Sequence, residues 1–139
     1  MIKHRAIFDT NVLYAGLYSS TGASHQLLIR IENEDLVPIL STALLFEYED
    51  VLKRNQKALG LSIRAIEDIL NAICQVGEQQ PIHFIWRPQL KDPKDDHILE
   101  LAVAAGNADI VTHNTDDFKG ADRFGIRVIK PSLYLKEIK

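Results

Sequence analysis

The sequence predicts an α/β domain built on a mostly parallel sheet with helices on both faces. Short apolar runs of strand length alternate with longer segments whose apolar residues recur at helical spacing. Their order is strand, helices, strand, helices, strand, helix, strand, strand, helix, and right-handed crossovers in that order cover both faces of the sheet. With 139 residues, 46% of them hydrophobic and 25% charged, the chain is long enough for a real core and is expected to be one domain over 1–139.

The elements follow in order. Residues 3–8 form a short apolar strand. Residues 22–33 have helical spacing through Leu27, Leu28 and Ile31. Residues 35–41 read as a second strand, against which only Pro38 speaks. Residues 42–55 are a strong helix with Ser41 or Thr42 as its cap. Residues 62–79 are another, with Ser62 before it, apolar positions at 63, 66, 69, 70 and 73, and Gly77 near its end. IHFI (82–85) reads as a short strand. The segment 95–106 is a helix with acids in its first turn and glycine at its end, as the helix dipole and left-handed C-terminal caps favour. Strands follow at 109–112 and 126–129, and Pro131 opens a last helix over 131–138.

Composition narrows the function. A formal net charge of −3 argues against a surface that is basic all over. It leaves room for a local basic rim, or for nucleic acid held through a metal. The single cysteine, Cys74, cannot form an internal disulfide and is expected to serve as a small hydrophobe in its helix. Asp9 interrupts the N-terminal apolar run, so no signal sequence is expected there. The longest mostly apolar run, LVPILSTALLF, is too short to span a bilayer, and a cytoplasmic protein with no membrane partner is expected.

The stretch RAIFDTNVL places a carboxylate, Asp9, at the end of the first strand. Ligands in such sheets bind beyond the carboxyl ends of the strands. Other acids fall near the same edge: Glu47 in the helix after the second strand, beside the apolar stripe of Leu44, Leu45, Val51 and Leu52; Asp95 and Asp96 at a helix start; Asp116 and Asp117 in the turn after DIVT. Carboxylates that converge repel unless cations are bound, and oxygen donors of this kind suit Mg²⁺ or Mn²⁺. Each acid also has a plainer role. Asp9 can cap a short helix at 11–16, Glu47 can pair with a basic residue one turn away, Asp95 can open its helix, and Asp117 can serve a turn. Only their combination and order are specific.

Those residues carry a resemblance. IFDTNVLYAGL, STALLFEYEDVL, DPKDDHILELAVAAGNADIVTHNTDDF and the tail IRVIKPSLYL together resemble a PIN-domain protein of the branch that supplies the toxins of toxin–antitoxin pairs. The resemblance implies a three-layer α/β/α sandwich with a central sheet of four or five strands and an acidic metal pocket at its carboxyl edge. It also implies endoribonuclease activity on single-stranded RNA, with one or two Mg²⁺ or Mn²⁺ ions. Carried over by position, the acids are Asp9, Glu47 and Asp96, then the region THNTDDF. There the family usually has an acid where this chain has Asn114, and Asp116 is expected to supply the missing carboxylate while the Asn114 carbonyl remains a neutral ligand. Thr10, Asn11 and Thr112 are expected to orient carboxylates or waters. An antitoxin partner and a homodimer come with the same resemblance.

The chemistry that these ligands suit is in-line attack of water on a phosphodiester, with Glu47 as a ligand or orienting the water, leaving 5′-phosphate and 3′-hydroxyl ends. Lys91, Lys94, Lys119 and Arg123 lie in loops near the acids, within reach of phosphates, although a solvated surface charge is the plainer role. His97 and His113 are expected as surface or hydrogen-bonded side chains rather than ligands. Tyr14 and Tyr18 are expected to pack at the core or rim, with base stacking as the second role. A haloacid-dehalogenase-type phosphatase needs a second acid where Asn11 stands, and a response-regulator receiver needs an acid pair and an acceptor that are missing. The remaining alternative is a PIN-fold module without catalysis that binds RNA or protein, which Asn114 keeps open.

Overall fold

His-Arg-Ala-Ile-Phe is short and apolar toward its end, and both faces of the strand it forms are covered. In the computed structural model, which describes residues 4–82 and 95–138, this strand is β1 (His4–Phe8). Ile7 turns into one apolar cluster, and Ala6 and Phe8 turn into the other. That alternation is what a strand buried between two helical layers requires.

The chain continues through α1 (Thr10–Tyr18), α2 (Ala23–Glu32), β2 (Leu36–Leu40), α3 (Thr42–Arg54), α4 (Gln56–Leu59) and α5 (Ile63–Val76). It then forms β3 (Glu78–Gln79), α6 (Asp96–Ala104), β4 (Ile110–Val111), two short 3₁₀ turns at Thr115–Phe118 and Ala121–Phe124, β5 (Val128–Ile129) and α7 (Pro131–Ile138). All strand pairings are parallel, in the order β3-β2-β1-β4-β5. Leu44, Tyr48 and Leu52 of α3, Ile66, Leu70 and Ile73 of α5, and Ile98 and Leu101 of α6 pack on one face. Leu27 and Ile31 of α2 and Tyr134, Leu135 and Ile138 of α7 pack on the other. The predicted three-layer α/β/α sandwich is therefore the fold observed.

Local signals hold the helices where the sequence places them. The Ser41 hydroxyl accepts from Leu44 N at 3.1 Å and the Ser62 hydroxyl from Ala65 N at 3.1 Å. Each such cap is worth about 1 kcal/mol. Gly106 follows α6 at φ +80°, a conformation in which a side chain would be strained. Pro38 sits in β2 opposite Ala6, yet the ladder to β3 begins only at Ile39, so no bond to β3 is asked of the proline nitrogen.

The structure departs from expectation in three places. The helix expected to run to 79 stops at Val76; Gly77 is extended, and Glu78–Gln79 is the edge strand. A Cβ on Gly77 would stand 2.5 Å from a Leu40 methyl, so the turn into β3 depends on glycine. The strand expected at 82–85 lies outside the described residues beyond Ile82, as do Lys91 and Lys94. The four-residue α4 was not expected. Cys74, expected to be buried, is exposed, because the buried stripe of α5 runs through 66, 70 and 73 and the next position turns to solvent.

Candidate active site at the sheet switch point

Strand order decides where a ligand can sit. The chain moves outward from β1 to β2 and β3, then returns to place β4 on the other side of β1. The crevice of a parallel sheet opens where this reversal falls, at the carboxyl ends of β1 and β4. Asp9 directly follows β1 and Thr112 directly follows β4.

The two side chains meet there. Asp9 N donates to Val111 O at 2.9 Å, which sets the two strand ends side by side. The Thr112 hydroxyl donates to Asp9 Oδ2 at 2.8 Å, and Asn11 Nδ2 reaches the same oxygen at 3.3 Å. Asp9 Oδ1 accepts from Thr10 N at 2.8 Å, so Asp9 does cap α1. The cap leaves its carboxylate in the crevice. Asn11 also accepts from His113 N at 3.1 Å, and Asn114 N donates to the Thr112 hydroxyl at 3.1 Å. Thr10, Asn11 and Thr112 thus orient Asp9 and the β4 loop.

Glu47 joins from α3. The Thr10 hydroxyl donates to Glu47 Oε2, and His97 Nε2 lies 3.0 Å from Oε1. One threonine therefore links Asp9, through its backbone N–H, to Glu47, through its hydroxyl. Burial and the nearby Glu47 charge lift the Asp9 pKa above the ordinary range, against the hydrogen bonds from Thr112 and Thr10. Burial pulls Glu47 in the same direction, but hydrogen bonds from His97 and Thr10 and the imidazole charge leave it below its ordinary value.

Asp96 lies in the first turn of α6, beside His97, and is fully buried. Asp95 takes the cap position, but its side chain does not cap the helix. Asn114 and Asp116 are exposed. With His113, Asp117 and Lys130 they line a polar cleft of about 380 Å³. Asn114 joins the hydrogen-bonded network through its backbone. Among the described residues, no three His, Cys, Asp or Glu side chains stand together as a ready-made cation cage.

The donor set still fits a hard cation. Asp9, 8% exposed at the end of β1, and Asp96, 0% exposed in the first turn of α6, are carboxylates that the fold keeps in its interior. Mg²⁺ is commonly held by one or two carboxylates, with waters and substrate oxygens filling the rest of its shell. A complete protein cage is not needed.

Sequence reasoning passed over one residue here, Tyr48. Tyr48 is buried, and its hydroxyl donates to the Phe8 carbonyl at the end of β1. Burial, then the charges of Asp9 and Glu47, push its pKa far up, so it stays a donor. The i, i+4 spacing of Leu44, Tyr48 and Leu52 was its signal. His97 is hydrogen-bonded, as expected, to Glu47. His113 is hydrogen-bonded as expected, with Nε2 2.8 Å from the Ser24 hydroxyl, and burial and Lys130 lower its pKa. Tyr14 and Tyr18 stack on each other, ring centroids 5.8 Å apart. Lys119 is exposed, and Arg123 lies over the Phe124 ring.

The parallel α/β sandwich therefore carries a buried carboxylate, Asp9, at the switch point of its sheet. The model of the PIN domain family matches residues 5–116, and the chain belongs to that family. PIN domains are generally nucleases that commonly use divalent metals such as Mg²⁺. No curated protein matches the chain. Among the described residues, no helix is long and apolar enough to cross a membrane.

Proposed function

We propose that the chain is a divalent-cation-dependent endoribonuclease that hydrolyses phosphodiester bonds in single-stranded RNA, as the toxin of a toxin–antitoxin pair. The observation that carries this reading is the Asp9–Thr112 bridge across the β1/β4 crevice, with Glu47 tied in by Thr10. Asp9 and Asp96 would hold Mg²⁺ or Mn²⁺, with Asp116 and the Asn114 carbonyl completing the shell of one ion or carrying a second. A cation held there would neutralise charge on the phosphodiester and make water a better nucleophile. Thr112, Asn11 and the Thr10 N–H fix the Asp9 carboxylate. Glu47, a carboxylate at neutral pH, orients the attacking water and accepts its proton at a carboxylate oxygen. In-line attack leaves 5′-phosphate and 3′-hydroxyl ends. Lys119 and Arg123 stand ready to hold RNA phosphates. An antitoxin covering the site and a homodimer belong to the same reading.

The test is cleavage of end-labelled single-stranded RNA with Mn²⁺, with Mg²⁺ and with EDTA, beside Asp9→Asn. Metal-dependent cutting by wild type alone supports the nuclease. Equal cutting by both proteins, or 2′,3′-cyclic ends, contradicts it. Asn114 in place of a carboxylate and the exposure of Asp116 favour one second reading, a catalytically silent module that binds RNA or protein. Such a module has no need of Mn²⁺.

A further inference from the structure

We propose that His97 is a positioning residue for hydrolysis: its imidazole and the Thr10 hydroxyl hold the two oxygens of Glu47 in the orientation that meets the attacking water. This role rests on the nuclease reading. The geometry is a clamp. His97 Nε2 lies 3.0 Å from Glu47 Oε1, and the Thr10 hydroxyl donates to Oε2. Each gripping residue directly follows an acid of the site, Thr10 after Asp9 and His97 after Asp96, and each sits in the first turn of a helix. Their helices fix both grips, so a long, three-torsion side chain is held from two sides.

The chemistry selects His97 for this task. An ionised carboxylate has no proton to offer, so Nε2 carries the hydrogen and donates it. Nδ1 is shut off from solvent and has no hydrogen-bond partner among the described residues. Glu47 is thus the one hydrogen-bond partner of the ring among those residues. Its side chain is 30% exposed, so without the clamp it is free to turn toward solvent. One lone pair on each Glu47 oxygen remains for water.

The test compares His97→Leu, His97→Gln, Glu47→Ala and the Glu47→Ala/His97→Leu double variant. The glutamine amide can place a donor where Nε2 stood. With saturating Mn²⁺, His97→Leu is expected to lower kcat on the order of tenfold to a hundredfold. KM and the Mn²⁺ dissociation constant should stay within about threefold, because the His97 ring bonds to Glu47 and not to Asp9 or the groups that hold it. His97→Gln should recover most of the rate. The double variant should be no slower than Glu47→Ala, because His97 acts through Glu47. In EDTA, urea unfolding of wild type, His97→Leu, Glu47→Ala and the double variant should show a coupling of about tenfold in the unfolding constant.

Wild-type kcat in His97→Leu, a double variant slower by the product of the single losses, or additive stabilities in EDTA would each overturn the proposal. Wild-type protein that cuts no RNA would remove the nuclease reading and this role with it, and coupling in EDTA would then mark a contact only.

Discussion

Asp9 and Glu47 are two carboxylates joined through one threonine, yet their surroundings push them to opposite sides of the ordinary range. Asp9 is raised by burial and by the Glu47 charge, whereas Glu47 is lowered by its two donors despite burial. The signs for stability differ accordingly. A raised folded-state pKa means that the folded protein binds the proton more tightly than the unfolded chain does. Metal-free wild type should therefore lose stability relative to Asp9→Asn as pH rises from about 4 through the raised Asp9 value. Glu47 works the other way: its contribution is present above its unfolded value and is lost as pH falls through the lowered folded one. Urea unfolding in EDTA across pH checks this, and a wild-type-minus-Asp9→Asn difference that is flat or rises with pH would refute the assignment for Asp9. At this scale much of the site was legible. Asp9, Thr10, Asn11 and Thr112 form one hydrogen-bonded group, as expected from their places at two strand ends. His97 was not legible as a clamp, because sequence placed it beside the acids without showing which way its ring turns. The exposure of Asp116 was hidden for a similar reason: the 3₁₀ turn that carries it has no periodic pattern.

At the scale of elements, side chains that join one element to another set the site. Tyr48 ties α3 to the end of β1 through the Phe8 carbonyl. Tyr48→Phe should cost about 0.5–1.5 kcal/mol for the lost bond, and more if the buried carbonyl finds no other donor. Chemical denaturation reads this directly, and an unchanged midpoint would show that the bond contributes nothing. Gly16 lets α1 approach α2: an added Cβ would stand 2.5 Å from a Leu28 methyl and 3.0 Å from the Ser24 carbonyl oxygen. Gly16→Val should destabilise by about 1–3 kcal/mol through overpacking, again by denaturation. It should also disturb Ser24, the partner of His113. Helices were the most legible elements, because apolar spacing and caps agree along α3 and α5. β3 was not, since a two-residue edge strand of Glu and Gln is too short to show alternation. Its position comes from the Gly77 turn and the ladder to Ile39 and Leu40.

At the scale of the whole molecule, the order β3-β2-β1-β4-β5 makes a site from residues 103 positions apart, Asp9 and Thr112. Alternation of strands and helices predicted the layers, and the parallel rule placed function at the carboxyl edge. Sequence alone did not give the reversal between β1 and β4, because register and neighbour choice are decided by packing of both layers at once. In the proposed function this reversal gathers carboxylates to bind a divalent cation. Calorimetric titration of Mn²⁺ into metal-free protein tests it most directly, with wild type, Asp9→Asn and Asp96→Asn run side by side. The account predicts saturable binding by wild type, weakened about tenfold or more in each variant. No binding by wild type, or the same affinity in all three proteins, would contradict it.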